Sequence, residues 1–479
     1  MTAAGWRLES TYADLPEPFW QALTLPAWPR PTVVQLNRAL AGELGLDADR
    51  LAGPEGAGWF AGGTPPPGAR PLAMAYAGHQ FGHFAMLGDG RAALLGEQIA
   101  PDGRRWDIHL KGSGRTRFAR GGDGRAALGP MLREYLISEA MHALGIPTTR
   151  ALAVVATGAV VHRDSELPGA VLVRVAASHL RVGTLVFAAA SGRRDLLAAI
   201  VAHACARHVP PGARSGDDAH DLLAHLVRAQ ARLIAAWMAA GFIHGVMNTD
   251  NMALSGETID YGPCAFLDAY DPATVFSSID RHGRYAYANQ PAVAQWNLAR
   301  AIEACLPLLG AAEADALAKG QALLAGFAPA YAEALLAAQR ARLGLTGEDP
   351  GDAALAQDLL AGLARDGADY HLAWLDLLRL ARGGSAAVLV GPAWSPWLAR
   401  WRERGGGDPV RLAAAVPRII PRNHRVEEAL AAAVAGDWRP WDRLLAALRT
   451  PFADSDDADA LMIPPPPDIA ACHRTFCGT

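Results

Sequence analysis

Asn251 and Asp260 are spaced to hold a hard divalent cation between two short loops. Asn251 closes the run His244-Gly245-Val246-Met247-Asn248-Thr249-Asp250-Asn251, and nine residues later Asp260 opens the triplet Asp260-Tyr261-Gly262. Two oxygen ligands on adjoining loops suit Mg2+ (or Mn2+), which takes few protein ligands and completes its shell with phosphate oxygens and water. Asp250 is the only carboxylate in the first loop and so the only residue there suited to accept a proton. Phosphate chemistry also needs fixed positive charge. Lys111 ends the run Asp107-Ile108-His109-Leu110-Lys111, and Glu134 falls where a helix should follow, so a carboxylate can hold the ammonium in place.

Glycines stand where phosphates could be cradled, because backbone N–H groups approach an anion closely when no Cβ intervenes. The runs are Gly88-Asp89-Gly90-Arg91, Gly112-Ser113-Gly114-Arg115 and Gly121-Gly122-Asp123-Gly124-Arg125. Each alone also reads as an ordinary turn. An Asp-Gly-Arg core nevertheless recurs on either side of Lys111. Arg174, flanked by Val173 and Val175, either faces solvent from an apolar strand or points into a site that needs charge, as does Arg181; spacing alone favours solvent. His79 and His83 have the i, i+4 spacing of metal ligands on a helix, but two glycines within six residues argue against a helix there.

The elements that must position these residues change character along the chain. Residues up to about 70 are rich in Pro and Trp, with a helical patch expected over Val33–Leu46. A hairpin is expected over Phe84–Glu97, a strand over Asp107–Lys111, a helix over Pro130–Leu144 and strands over Ala151–Val161 and Ala170–Val175. Beyond residue 186, Ala- and Leu-rich periodicity predicts helices over Leu196–Arg207, Ala219–Ala240, Val293–Leu309, Ala311–Leu343 and Ala353–Leu380. Asp454–Asp459 is acidic, and Pro464–Pro467 is a stiff spacer expected to hold the tail away from the body.

With 479 residues, 51% of them hydrophobic, the chain can bury a large core. A net charge of −4 gives no electrostatic footprint for nucleic acid. The longest apolar run, Ala151–Val161, is too short to span a bilayer, and Met1–Trp20 lacks the hydrophobic centre of a leader, so a cytoplasmic location is expected. Five cysteines make no disulfide framework; Cys472 and Cys477 suggest a redox-active tail.

The order of the pieces resembles a protein kinase, whose catalytic loop reads H-R-D-L-x-x-x-N and whose metal triplet is Asp-Phe-Gly. Val246 occupies the position of the catalytic Asp and can accept no proton. The expectation is an α+β, two-lobed protein-kinase-like fold with an enlarged helical C-lobe. Its N-lobe and extension would span 1–185, its C-lobe 186–455 and the tail 456–479.

Several motifs narrow the resemblance. They are Ala77-Gly78-His79-Gln80-Phe81-Gly82-His83-Phe84, Leu87-Gly88-Asp89-Gly90-Arg91-Ala92, His109-Leu110-Lys111-Gly112-Ser113-Gly114, Asp123-Gly124-Arg125-Ala126 and Met247-Asn248-Thr249-Asp250-Asn251. Together they resemble the selenoprotein O family, pseudokinases that transfer AMP from ATP to protein hydroxyls. That resemblance implies a protein adenylyltransferase acting on Ser, Thr or Tyr, with UMP transfer from UTP and self-modification also open and a link to redox stress. It implies an ATP reversed in the cleft, bound by Gly88, Gly90, Arg91, Lys111, Asp123, Gly124, Arg174, Arg181 and Asp260. Mg2+ would sit on Asn251 and Asp260, with Asp250 as proton acceptor. Some members carry a Cys-x-x-Sec ending; here Cys477 holds the third-from-last place, with Cys264 or Cys472 as its partner. A phosphotransferase using Asp250, and a non-catalytic nucleotide-binding scaffold, are the alternatives.

Overall fold

The structure is a computed structural model and describes residues 4–476. The chain is mixed α/β, with an antiparallel sheet in its first third and helices dominating the rest. Among the described residues nine strands form the sheet. Its main path runs Trp20–Ala22, Leu72–Met74, Ala92–Ile99, Arg105–Lys111, Glu166–Ala176, Arg150–His162, Thr32–Leu36. Leu8–Glu9 joins Ala92–Ile99, and Ala126–Ala127 joins Glu166–Ala176.

Register decides which side chains meet. Arg174 lies opposite His109, and Leu172 opposite Lys111. Side chains alternate between faces with period two, so His109, Lys111 and Arg174 share one face. Ile108, Leu110, Val173 and Val175 take the other. There they pack with Trp6, Trp59 and Phe60, brought in by the N-terminal segment and the helix Pro54–Ala61.

The polar face turns toward the helix Leu128–Ala143, which runs between the sheet and the C-terminal helices Asn423–Val434 and Arg439–Leu448. Pro130 fits in its first turn, where a backbone N–H has no helical partner to lose. Met131, Leu132, Tyr135 and Leu136 are buried, each contributing about 1.5–3 kcal/mol of apolar transfer. Glu134 therefore sits on a rod with little freedom to shift.

The helix Asp218–Ala240 is capped by the Asp217 side chain on the His220 N–H and stopped by Gly241 at φ 67°. A two-residue strand, Phe242–Ile243, follows and pairs with Ala265–Phe266. Everything between those strands is the loop region read from sequence as the site.

Several expectations are corrected. Thr32–Leu36 is a strand, because Thr32, Val33, Gln35 and Leu36 pair with Arg150–His162 around a bulge at Val34; only Arg38–Glu43, capped by Asn37, is helical. The hairpin is Ala77–Gln80 with His83–Met86, distinct from the strand Ala92–Ile99. Ala311–Leu343 is two helices, Glu313–Ala325 and Phe327–Arg342, broken at Gly326. One 18-residue window within Glu313–Arg342 reaches a mean hydropathy of 1.2, enough by length and composition to cross a bilayer, while both helices pack on neighbours in the helical part. Ala353–Leu380 divides at Gly367, φ 57°, into Asp352–Asp366 and Tyr370–Ala381.

Candidate active site

The two halves of the motif set converge on one cavity of about 490 Å³. Gly88, Gly90, Arg91, Lys111, Asp123, Gly124, Arg174, Arg181, Asp250, Asn251 and Asp260 all line it. Glu134 stands just behind. Its Oε2 accepts from Lys111 Nζ at 2.6 Å, and its Oε1 from Arg174 at 3.1 Å.

Asp260 is the hub. Its Oδ1 accepts from Lys111 Nζ at 2.7 Å and from Arg174 at 2.8 Å, while Oδ2 accepts from Arg181 at 3.1 Å. Burial acts to raise this carboxyl, but the three cations override it and hold it well below the usual carboxylate range. Its backbone has φ 65°, a conformation a non-glycine residue adopts at a cost of about 1 kcal/mol. Spacing had favoured solvent for Arg174; it is instead 2% exposed, since its strand position faces the helix that carries Glu134.

The loop around Asn251 is pinned from several directions. His244 is buried; its N–H donates to Gln290 Oε1 and its Nε2 donates to the Ile259 carbonyl at 2.8 Å, tying this loop to the residue before Asp260. Asn248 Oδ1 accepts from Tyr285 Oη and from the Phe81 N–H, and Thr249 Oγ1 accepts from the His79 N–H. The hairpin of His79 and His83 thus braces the loop, and among the described residues no group of three or more His, Cys, Asp or Glu is placed to hold a metal. Asn251 Nδ2 donates to the Val246 carbonyl at 3.0 Å, and Val246 itself lines the cavity.

Asp250 is 7% exposed, and its Oδ1 has no hydrogen-bond partner among the described residues. Burial pushes its carboxyl up to about 6 against the pull of Arg181. Gly78 makes the room: a Cβ there would lie 2.2 Å from Asp250 Oδ1.

The glycine loops differ from the expectation in one respect. The space freed at Gly88 is filled by the Phe118 ring, 2.4 Å from where a Cβ would stand, and that at Gly124 by the Gly114 backbone at 2.2 Å. Their glycines therefore let loops pack against each other. Asp123 is paired with Arg163 at 2.9 Å and caps the Arg125 N–H.

Sequence reading missed Tyr76, over which Arg181 stacks at 4.5 Å, and Arg120 and Arg163 on the rim. It also missed Asp89 and His109, which bond at 3.1 Å inward from the cavity wall. Polar residues alternating with apolar ones in the strand of Lys111 were the available signal.

The tail does not stand away from the body. Thr475 forms a parallel bridge with Ser277, and its Oγ1 donates to the Pro263 carbonyl at 2.6 Å, three residues from Asp260. Two short helices, Asp456–Leu461 and Pro467–Cys472, carry the chain back across the prolines. Cys264 is buried, its thiol donating to the Tyr261 carbonyl, whereas Cys472 is exposed; Cys477 lies outside the described residues.

Comparison with known proteins accords with this geometry. Residues 4–386 match the family described as protein adenylyltransferase SelO. The chain belongs to this family. Among SelO-family relatives, the protein nucleotidyltransferase YdiU of Cereibacter sphaeroides is 53% identical over 483 residues, covering 99% of this chain and 100% of that one. The YdiU proteins of Methylorubrum extorquens (52%; 98% and 99% covered) and Geobacillus kaustophilus (51%; 99% and 100%) are similar along their whole lengths. SelO membership makes the chain a nucleotidyltransferase of the protein-adenylylating kind.

Proposed function

We propose that the chain transfers AMP from ATP to Ser, Thr or Tyr hydroxyls of proteins, itself included, on a two-lobed protein-kinase-like frame dividing near residue 185. UMP transfer from UTP is open to the same site. The observation that carries this reading is the convergence of Lys111, Arg174 and Arg181 on Asp260 at the floor of a glycine-walled cavity, with Val246 where a kinase has its base.

Lys111 and the arginines hold the phosphates and offset the charge that develops on them. Glu134 keeps Lys111 and Arg174 extended toward the cavity. Asp250 accepts or orients the acceptor's hydroxyl proton, and its burial suits a group that must hold a proton near neutrality. Asn251 and Asp260 are a donor set suited to Mg2+: a carboxylate, and an amide whose Nδ2 is already engaged, leaving Oδ1 as the ligand. Held by these two residues, the ion would neutralise charge developing on the phosphates.

The test is intact-protein mass spectrometry after incubation with Mg-ATP, for wild type and Asp260→Ala, supported by α- and γ-labelled ATP. A gain of one AMP on wild type alone is expected. Label arriving from the γ position, or a gain of phosphate, would assign a phosphotransferase instead.

A further inference from the structure

A buried polar chain runs inward from the cavity wall. Asp89 belongs to the Gly88–Arg91 loop, yet its side chain turns inward and is 3% exposed. Its Oδ2 accepts from the Met74 N–H and from His109 Nε2, both at 3.1 Å. The carboxylate can only accept, so the hydrogen of the neutral ring is on Nε2 and Nδ1 is left as an acceptor. Facing Nδ1 at 3.4 Å is Nη2 of Arg174, the arginine whose Nη1 reaches Glu134 and Asp260.

The imidazole itself is clamped. The His179 ring stacks on it at 4.2 Å with planes 17° apart, and Asp107 anchors His179 by accepting its backbone N–H at 2.8 Å. Asp89 also joins the second glycine loop, since its carbonyl accepts from Thr116 Oγ1 at 2.6 Å. Three parts of the cavity wall therefore meet at one aspartate, through its carboxylate and its backbone carbonyl, and one ring.

We propose that Asp89 and His109 are positioning residues that hold the Arg174 guanidinium in the plane from which it meets the nucleotide phosphates. The proposal rests on the reading of the cavity as a nucleotide site. A guanidinium is planar and directional, so a rotation about its long side chain would misplace both donors at once. Glu134 and Asp260 fix one nitrogen; His109 fixes the other. Burial keeps this ring neutral, against the opposing charge of Asp89, which preserves Nδ1 as an acceptor.

Two substitutions of similar size separate the bonds. His109→Gln places its amide where Nε2 stood, keeping Asp89 satisfied and leaving Arg174 without its acceptor. His109→Asn places Oδ1 near the position of Nδ1, keeping the Arg174 contact and abandoning Asp89. Calorimetric titration of the full chain with Mg-ATP, beside thermal melts without nucleotide, gives the readout.

The Gln variant is expected to bind Mg-ATP about tenfold more weakly with the smaller loss of melting temperature. The Asn variant should bind within about threefold of wild type despite the larger loss. Equal affinities for the two variants, affinities that simply follow melting temperature, or a Gln variant that binds like wild type would each overturn the proposal. AMP transfer is scored separately by mass. An affinity split between the two variants, with no AMP transferred by wild type, would refute the reaction and leave the positioning role standing.

Discussion

Asp260 is surrounded by positive charge, and its removal strands Lys111, Arg174 and Arg181 against one another in a buried site. Asp260→Ala should therefore lower the stability of the nucleotide-free protein by about 3 kcal/mol, an effect that chemical denaturation checks and that ATP, bringing replacement negative charge, should partly reverse. Glu257 offers a pH test away from the chemistry. Burial pushes its carboxyl up to about 7, although the Ala177 N–H and Ser255 hydroxyl favour its charged form. A carboxyl raised on folding binds its proton more tightly in the native state. Stability is then greatest below the unfolded value, about 4.3, and falls as pH rises through about 7. Glu257→Gln should be near neutral at pH 5 and stabilising by about 1–3 kcal/mol at pH 8.5, read from denaturant midpoints. At this scale the sequence was most legible where a residue type has few uses, as with Asn251, Lys111 and Asp260. It was less legible for Asp89 and His109: alternation marks His109 as sharing a face with Lys111, but its partners Asp89 and Arg174 are brought to it by strand register and tertiary packing.

The elements show how closely the halves of the site must approach. The strand Ala77–Gln80 lies against the loop of Asp250 with only a hydrogen atom at Gly78 between them, so Gly78→Ala drives a methyl group into Asp250 Oδ1 and Leu87. AMP transfer should fall at least tenfold, and the melting temperature should fall as well, because Ala77 and Gly78 are buried and the added methyl displaces the Asp250 carboxylate. Periodicity located the long helices and the central strands correctly, since burial of one face leaves a regular trace. It failed at Thr32–Leu36, where pairing with Arg150–His162 is a non-local fact, and it ran through Gly326 and Gly367, where a single residue breaks an otherwise continuous apolar pattern. The position of the tail was invisible for the same reason: Thr475 meets Ser277 across two hundred residues of sequence.

For the whole molecule, charge is unevenly placed. The chain carries −4 overall, yet among the described residues the cavity is lined by seven Arg or Lys side chains and four Asp. A local positive surplus in a negative protein draws in polyphosphate and is weakened by salt. The KM for ATP should rise severalfold between roughly 0.05 and 0.5 M KCl, while kcat changes by less than about twofold; steady-state kinetics at fixed free Mg2+ checks this. The docked tail gives a second molecular-scale test. Thr475→Val removes the hydroxyl that donates to Pro263 and should lower activity about two- to fivefold with a smaller change in melting temperature, measured by AMP transfer beside thermal melts.

Among the described residues the edge strand Thr32–Leu36 finds one sheet partner, Arg150–His162, whose paired residues, Ala153 to Ala156, lie about 120 positions further on. A ribosome adding roughly 5–20 residues each second needs about 6–24 seconds to cover that interval. For that time Val33 and Val34 belong to a β-prone segment with nothing to pair with, which is a template for wrong associations. The opening of the chain is thus at its most vulnerable during synthesis, and the yield of active protein depends on what shields those few residues until the middle of the sequence emerges.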